Sequence, residues 1–270
     1  MNALIAELKQ TVSASRLNTF HTCRLKFFFR YVLQVTKPTS PALFVGSAVH
    51  SVLQVWNLAR WRGEDRPQVF FKELLDTLWS NPETNRDIPW KDDEEDQKQT
   101  AWAMLEAYFS ETTIPKGEKP QGVEVSVEAD LVQRGLPKLI GIIDLVRPGG
   151  RIVDFKTTAQ TPNAERTAHQ NGLQLACYGV LYREATGERE GGFELHHLVK
   201  LKKPKIVIVP LGQVTPAQEK RLYRAIESYL DGLDRMDFIP SPGMACLSCE
   251  YFRECQAWSG EYAIEERRAA

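Results

Sequence analysis

Four of the five cysteines constrain this chain more than any other feature. Cys246, Cys249 and Cys255 form a C-x₂-C-x₅-C cluster, and Cys23 stands far upstream. If all four meet at one centre, distant parts of the chain must be drawn together. Treated as a loop closure over roughly 220 residues, such a link restricts the unfolded chain by about 5 kcal/mol. That is comparable with the net stability of an entire domain. In a reducing compartment, spaced cysteines favour metal over disulfides. Four thiolates fit either an iron–sulfur cluster or structural zinc. Zinc sites usually use two close couples, whereas here one ligand is isolated. The fifth cysteine, Cys177, lies among Leu173, Ala176, Val180 and Leu181 and reads as a buried, inert thiol.

The remaining bulk properties are permissive. A chain of 270 residues, 43% hydrophobic and 10% aromatic, can bury a sizeable core. A formal net charge of −1 gives no global field that would attract a polyanion. A local basic groove would suffice for one. No apolar run approaches the roughly 20 residues of a membrane span, and Met1 to Gln10 does not read as a signal peptide. The expectation is a cytoplasmic protein with no membrane partner.

Periodicity divides the chain. Apolar spacing predicts helices over Arg16–Leu33, Phe44–Trp61, Gln68–Trp79 and Asp92–Phe109. Beyond Pro120 the period changes to two, with strands at Gly122–Val132, Lys138–Val146 and Arg151–Thr157, and with Val123, Val125 and Val127 on one face. A helix follows at Gln170–Glu184, then a hairpin of Phe193–Leu201 and Lys205–Leu211. Thr215, Pro216 and Gln218 start a last helix with a cap, a proline and a capping-box glutamine. This order predicts an α/β (α+β) fold with a mixed central sheet flanked by helices. One domain, 1–270, is expected, with a helical region at 11–119, a core at 120–234 and a cysteine-containing tail at 235–270.

The chemistry concentrates in Gly141-Ile-Ile-Asp144 and Asp154-Phe-Lys156. Strand alternation points Asp154 and Lys156 to one face and Val153 and Phe155 to the other. An antiparallel register through a three-residue loop, Pro148-Gly149-Gly150, would set Asp144 opposite Asp154. Two carboxylates about 4 Å apart repel by roughly 4 kcal/mol at an effective dielectric near 20. A divalent cation removes that repulsion, and oxygen ligands suit Mg²⁺ or Mn²⁺. Lys156 would orient or deprotonate a water. An acid-x-lysine triplet alone is weak, since Glu7-Leu-Lys9 and Asp96-Gln-Lys98 match it too.

Other residues add to this set. His50 lies on an otherwise apolar helix, either as a core histidine or as a metal ligand that favours Mn²⁺. Gln174 and Tyr178 share a helix face four residues apart, and Gln170 extends the row. Arg16, Arg24, Lys26 and Arg30 form either a solvated helix face or a phosphate track.

These motifs, in this order, resemble the RecB-like branch of the PD-(D/E)XK nuclease superfamily. Ser13 to Cys23, Gly46-Ser-Ala-Val-His50, Gly141 to Asp144, Asp154 to Thr157, Gln174 to Tyr178 and the terminal cysteines carry the likeness, over about residues 13 to 255. It looks closest to the iron–sulfur members, the AddB nuclease domain and the CRISPR-associated RecB-like exonucleases. The resemblance implies a restriction-endonuclease-like fold. It implies a metal site of His50, Asp144, Asp154 and the Phe155 backbone carbonyl, with Lys156 catalytic and Gln174 and Tyr178 beside it. It also implies a 4Fe–4S cluster on Cys23, Cys246, Cys249 and Cys255. The cluster is then a clasp that pins the helical region carrying His50 against the acidic strand pair. The expected activity is a Mg²⁺- or Mn²⁺-dependent DNA exonuclease working on single strands or ends, with repair or CRISPR proteins as partners. The alternative is a non-catalytic DNA-binding or assembly module on the same fold. Arg24 stands where relatives often carry proline, and Asp154 where glutamate is commoner.

Overall fold

The computed structural model describes residues 2–85, 87–91 and 93–260. The chain divides into two compact units: Met1–Lys37 with Tyr223–Ala270, and Pro38–Leu222.

The Pro38–Leu222 unit opens with α1, Pro41–Arg62. Ser40 accepts the Leu43 N–H, Pro41 occupies the first turn, and Gly63 closes the helix at φ 74°. These are the expected start and stop signals. Phe44, Val45, Ala48, Val49, Val52 and Leu53 make one buried stripe along it. Helices α2 (Gln68–Trp79) and α3 (Glu94–Glu111) pack on that stripe through Phe71, Leu75, Met104, Leu105 and Tyr108. Each such side chain removed from water contributes about 1.5–3 kcal/mol. By length and mean composition α1 is apolar enough to cross a membrane, although Ser47, His50, Ser51, Gln54 and Asn57 interrupt its apolar run. Its apolar stripe is buried in this core.

The Pro38–Leu222 unit contributes five strands to a mixed sheet: β1 (Gly122–Ala129), β2 (Lys138–Arg147), β3 (Arg151–Thr158), β4 (Phe193–Val199) and β5 (Lys205–Leu211). They lie in chain order, and only β3 and β4 are parallel. Helices α4 (Ala164–Gln170) and α5 (Gly172–Thr186) make the crossover between them. A break at Asn171 therefore puts Gln170 on a different helix from Gln174 and Tyr178. The β2–β3 register pairs Arg147 with Arg151, leaving the three-residue loop the sequence called for. Gly149 and Gly150 take φ 76° and 68° there, a region open to glycine at little cost.

The sheet has two different faces. Phe155 packs edge-on against Tyr108 and His196. Beneath it lies a buried polar chain. Tyr108 Oη is 2.8 Å from His196 Nδ1, His196 Nε2 is 3.0 Å from Glu194, and Arg147 joins Glu194 at 2.7 Å. Burial lowers the His196 pKa, and a neutral ring satisfies both contacts with its proton on Nε2. Burial opposes ionisation of Glu194, but hydrogen bonds from His196 and Arg147 outweigh it and bring the carboxyl down to about 2. The other face carries Asp154 and Lys156 under α5.

One sequence expectation fails on β1. Glu124 has φ 49° and interrupts the alternation. Val123 packs on the main core, while Val125 and Val127 line a separate groove with Tyr182.

In the other unit, the helix expected over Arg16–Leu33 is three pieces: Ala14–Thr22, Arg24–Phe27 and a π-helical turn, Phe28–Val32. The first break falls at Cys23, which is extended at φ −160° and whose sulfur accepts the Lys26 N–H. Phe20, Phe27, Tyr229 and Phe238 form this unit's aromatic centre. The tail contributes a 3₁₀ turn, Met244–Ser248, and a short helix, Phe252–Ala257.

Candidate active site

Strand β2 ends its pairing with β3 at Leu145 and Val153. One residue further, Asp144 replaces the missing ladder bond: its Oδ2 accepts the Phe155 N–H at 3.1 Å. The same oxygen lies 3.7 Å from His50 Nδ1. Helix α1 can stand this close to β3 because residue 46 is glycine. A Cβ there would lie 3.1 Å from Thr157 Oγ1.

Asp154 is 3% exposed. Its Oδ1 accepts the Gln174 amide at 2.8 Å. Its Oδ2 lies 2.9 Å from Lys156 Nζ, yet makes no hydrogen bond. The ammonium is close enough to pair by charge but not aligned to donate. Lys156 Nζ donates instead to Gln174 Oε1 at 2.9 Å, and the Gln174 amide also reaches Tyr178 Oη at 2.9 Å. Gln174 thus ties the acid, the lysine and the tyrosine together, and those partners fix which way its amide points.

The electrostatics match this crowding. Burial, then the Asp154 charge, raises Asp144 from 3.8 to about 6, against His50, the Phe155 N–H and Lys156. Burial followed by the charges of Asp154 and Asp144 keeps the Tyr178 phenol protonated. A half-buried Glu124 lines the same cleft and is raised to about 7 by burial and Asp144. Its neighbours Val123 and Val125 pair with Leu145 and Ile143, the residues on either side of Asp144. Sequence reading missed Glu124. Alternation could not have located it, because its positive φ of 49° breaks the period of two at that residue. The cleft occupies about 580 Å³, and Ser47, Ser51 and Gln54 of α1 form its uncharged wall.

His50, Asp144, Asp154, Lys156, Gln174 and Tyr178 all line this cleft, with Phe155 between them. As the side chains stand, no three His, Cys, Asp or Glu residues among those described are grouped to hold a metal ion. The donor types do fit a divalent cation: a buried carboxylate with an oxygen lacking any hydrogen bond, a half-buried carboxylate and an imidazole.

The four predicted thiols meet in the other unit. Cys23, Cys246, Cys249 and Cys255 line one small apolar cavity with Leu25, Phe29 and Tyr251. All are free thiols. Burial, then the nearby Cys23, Cys249 and Cys246, raises the Cys255 pKa. The Lys26 and Gly243 N–H groups each point at a cysteine sulfur from 3.5 Å. Four thiols around an apolar void suit a thiolate-bound cluster. Lys26–Glu250, Lys37–Glu254 and Arg24–Asp237 ion pairs join this segment to the tail. The clasp expectation needs correcting here: Cys23 shares a unit with the tail, and His50 shares the other with the strand pair.

The expected phosphate track has partners already. Arg16 bonds Thr11, Arg24 pairs with Asp237, Lys26 pairs with Glu250, and Arg30 lies over the Tyr31 ring.

A family model described as the PD-(D/E)XK nuclease superfamily matches residues 11–256. No curated protein matches the chain by sequence. Among solved structures, a "Putative exonuclease" from Eubacterium rectale shares the fold, with a TM-score of 0.62 at 18% identity over 98% of this chain and 93% of that one. A second, SSO0001, aligns with a TM-score of 0.42 at 10% identity over 95% of this chain and 93% of that one.

Proposed function

The chain belongs to the PD-(D/E)XK nuclease superfamily, and from that premise we propose that it is a Mg²⁺- or Mn²⁺-dependent DNA exonuclease acting on single strands or ends. One observation carries the reading: Gln174 binds both Asp154 and Lys156 while Asp144 lies across the hairpin from them. Asp144, Asp154, His50 and the Phe155 carbonyl would hold the cation. Bound there, a divalent cation polarises phosphate oxygens and acidifies water.

The chain's own groups do the rest. An ammonium has three N–H donors. Gln174 takes one and Asp154 draws the second by charge. The third is left for an attacking water or a phosphate oxygen. Tyr178 stays a neutral phenol and buttresses Gln174, so the lysine is held from behind by uncharged partners.

We assign Cys23, Cys246, Cys249 and Cys255 to a 4Fe–4S cluster that holds together the two segments of their unit, 1–37 and 223–270. A reducing, cytoplasmic setting suits such a cluster. Arg30, followed by Arg16, Arg24 and Lys26, would meet the DNA backbone, the last two by exchanging a carboxylate partner for phosphate. Repair, recombination or CRISPR adaptation would supply DNA ends and protein partners.

Lys156→Ala and Asp154→Ala proteins, tested on end-labelled single-stranded DNA with Mg²⁺ or Mn²⁺, should cleave at least roughly 100-fold more slowly than wild type. Unchanged cleavage by both would end the reading. Label at either terminus reports the direction of digestion.

A further inference from the structure

His197 is 4% exposed, and neither of its ring nitrogens has a hydrogen-bond partner. A buried polar group left in that state costs the fold about 1–3 kcal/mol. Its neighbour His196, on the opposite face of β4, has both nitrogens engaged. The strand can therefore accommodate a satisfied histidine, and the vacancy is particular to residue 197.

His197 is the β4 partner of Lys156 in the parallel register, and Leu195 is that of Asp154. Alternation then places His197 on the face that carries Asp154, Lys156 and the Gln174 amide. Burial, with the Lys156 charge next, lowers its pKa and favours the neutral ring. A neutral imidazole keeps one lone-pair nitrogen, which accepts a hydrogen bond. Lys156 at present relies on Gln174 Oε1 and Asp154 Oδ2. Under the proposed function Asp154 is also a cation ligand, so the ammonium must give up part of that pairing as the site fills.

We propose that His197 is a positioning residue for Lys156, its free ring nitrogen serving as the ammonium's second acceptor once Asp154 is engaged by a cation. The inference rests on the nuclease reading. His197 touches no substrate and transfers no proton. It keeps Lys156 aimed when the carboxylate can no longer do so alone.

The test compares full-length wild type, His197→Leu and His197→Gln on end-labelled single-stranded DNA with Mn²⁺, together with melting temperatures. Leucine removes an unpaired polar group and keeps apolar bulk, so His197→Leu should melt no lower than wild type. Its kcat should fall roughly tenfold, the loss of one hydrogen bond to a charged group, with KM unchanged within about twofold. Glutamine restores a donor and an acceptor and should recover most of the turnover. Independently of turnover, the ring-nitrogen signals of isotope-labelled His197 should move when Ca²⁺ saturates wild type and stay fixed in Lys156→Met. A wild-type kcat in His197→Leu overturns the inference and leaves the nuclease reading standing. So does a joint fall of kcat and melting temperature in both variants, or an equal signal shift with and without Lys156. Inert wild type overturns both.

Discussion

Asp144 and Asp154 sit in the same cleft under unequal conditions. Asp154 has an ammonium and an amide, whereas Asp144 has one backbone N–H and a histidine at 3.7 Å. Burial, then the Asp154 charge, raises Asp144 to about 6, and those two contacts only partly offset the rise. The folded state then holds a proton that the unfolded chain has released above 3.8. This group's contribution to stability is fullest below that value and is lost as pH rises through about 6. At neutral pH the buried charge costs the fold on the order of 2–3 kcal/mol. In EDTA near pH 7, Asp144→Asn should therefore melt above wild type, with the gap closing toward about pH 4. Excess Mn²⁺ should reverse the order, and equal melting near neutral pH would show that the charge is already compensated. Cys177, fully buried and pushed up to about 12, should resist thiol alkylation in native protein and react after denaturation. At this scale the sequence was readable wherever spacing set geometry, as with Asp154 and Lys156 on a strand or Gln174 and Tyr178 on a helix. Glu124 escaped because its place depends on a positive φ, and composition does not announce one.

The hairpin between β2 and β3 fixes which acids face each other, and it is locked from outside. Gly191 donates to Gly150 O at 2.8 Å, and a Cβ on Gly191 would lie 2.1 Å from Gly149 O. Backbone cannot yield as a flexible side chain does. Gly191→Ala should cost about 1–3 kcal/mol in urea unfolding and weaken cleavage by disturbing the Asp144–Asp154 register. Unaltered stability would show that the loop can slide. Sequence reading found this hairpin because glycines and loop length leave few alternatives. It missed the helix breaks at Cys23 and Asn171, since apolar spacing runs through both and neither residue is a proline or glycine. Those breaks serve contacts made elsewhere: a sulfur turned toward three other cysteines, and a crossover that must turn before α5 covers the sheet.

The order of helices and strands was enough to read a mixed sheet between helical layers, because a parallel pair such as β3 and β4 requires a crossover. The division into two units was not legible, because no change of composition marks Lys37 or Tyr223. It follows from which segments pack together. On the cluster assignment, anaerobically prepared wild type should be brown. Cys23→Ser and Cys255→Ser should lose the colour and melt about 5 °C lower or more. Colourless wild type with stoichiometric zinc would replace the cluster by a single ion. The same division has a consequence for synthesis. Residues 38–222 form one uninterrupted stretch, whereas the other unit needs residues from both sides of it in the chain. At about 5–20 residues per second, the inner stretch takes on the order of 10–40 s to translate. Phe20, Phe27 and Phe28 emerge before it, and Tyr229 and Phe238, the rings they pack against, emerge after it. Throughout that interval the nascent chain carries an aromatic segment whose partners have not yet been made, which marks residues 20–28 as the stretch a ribosome-associated chaperone should hold.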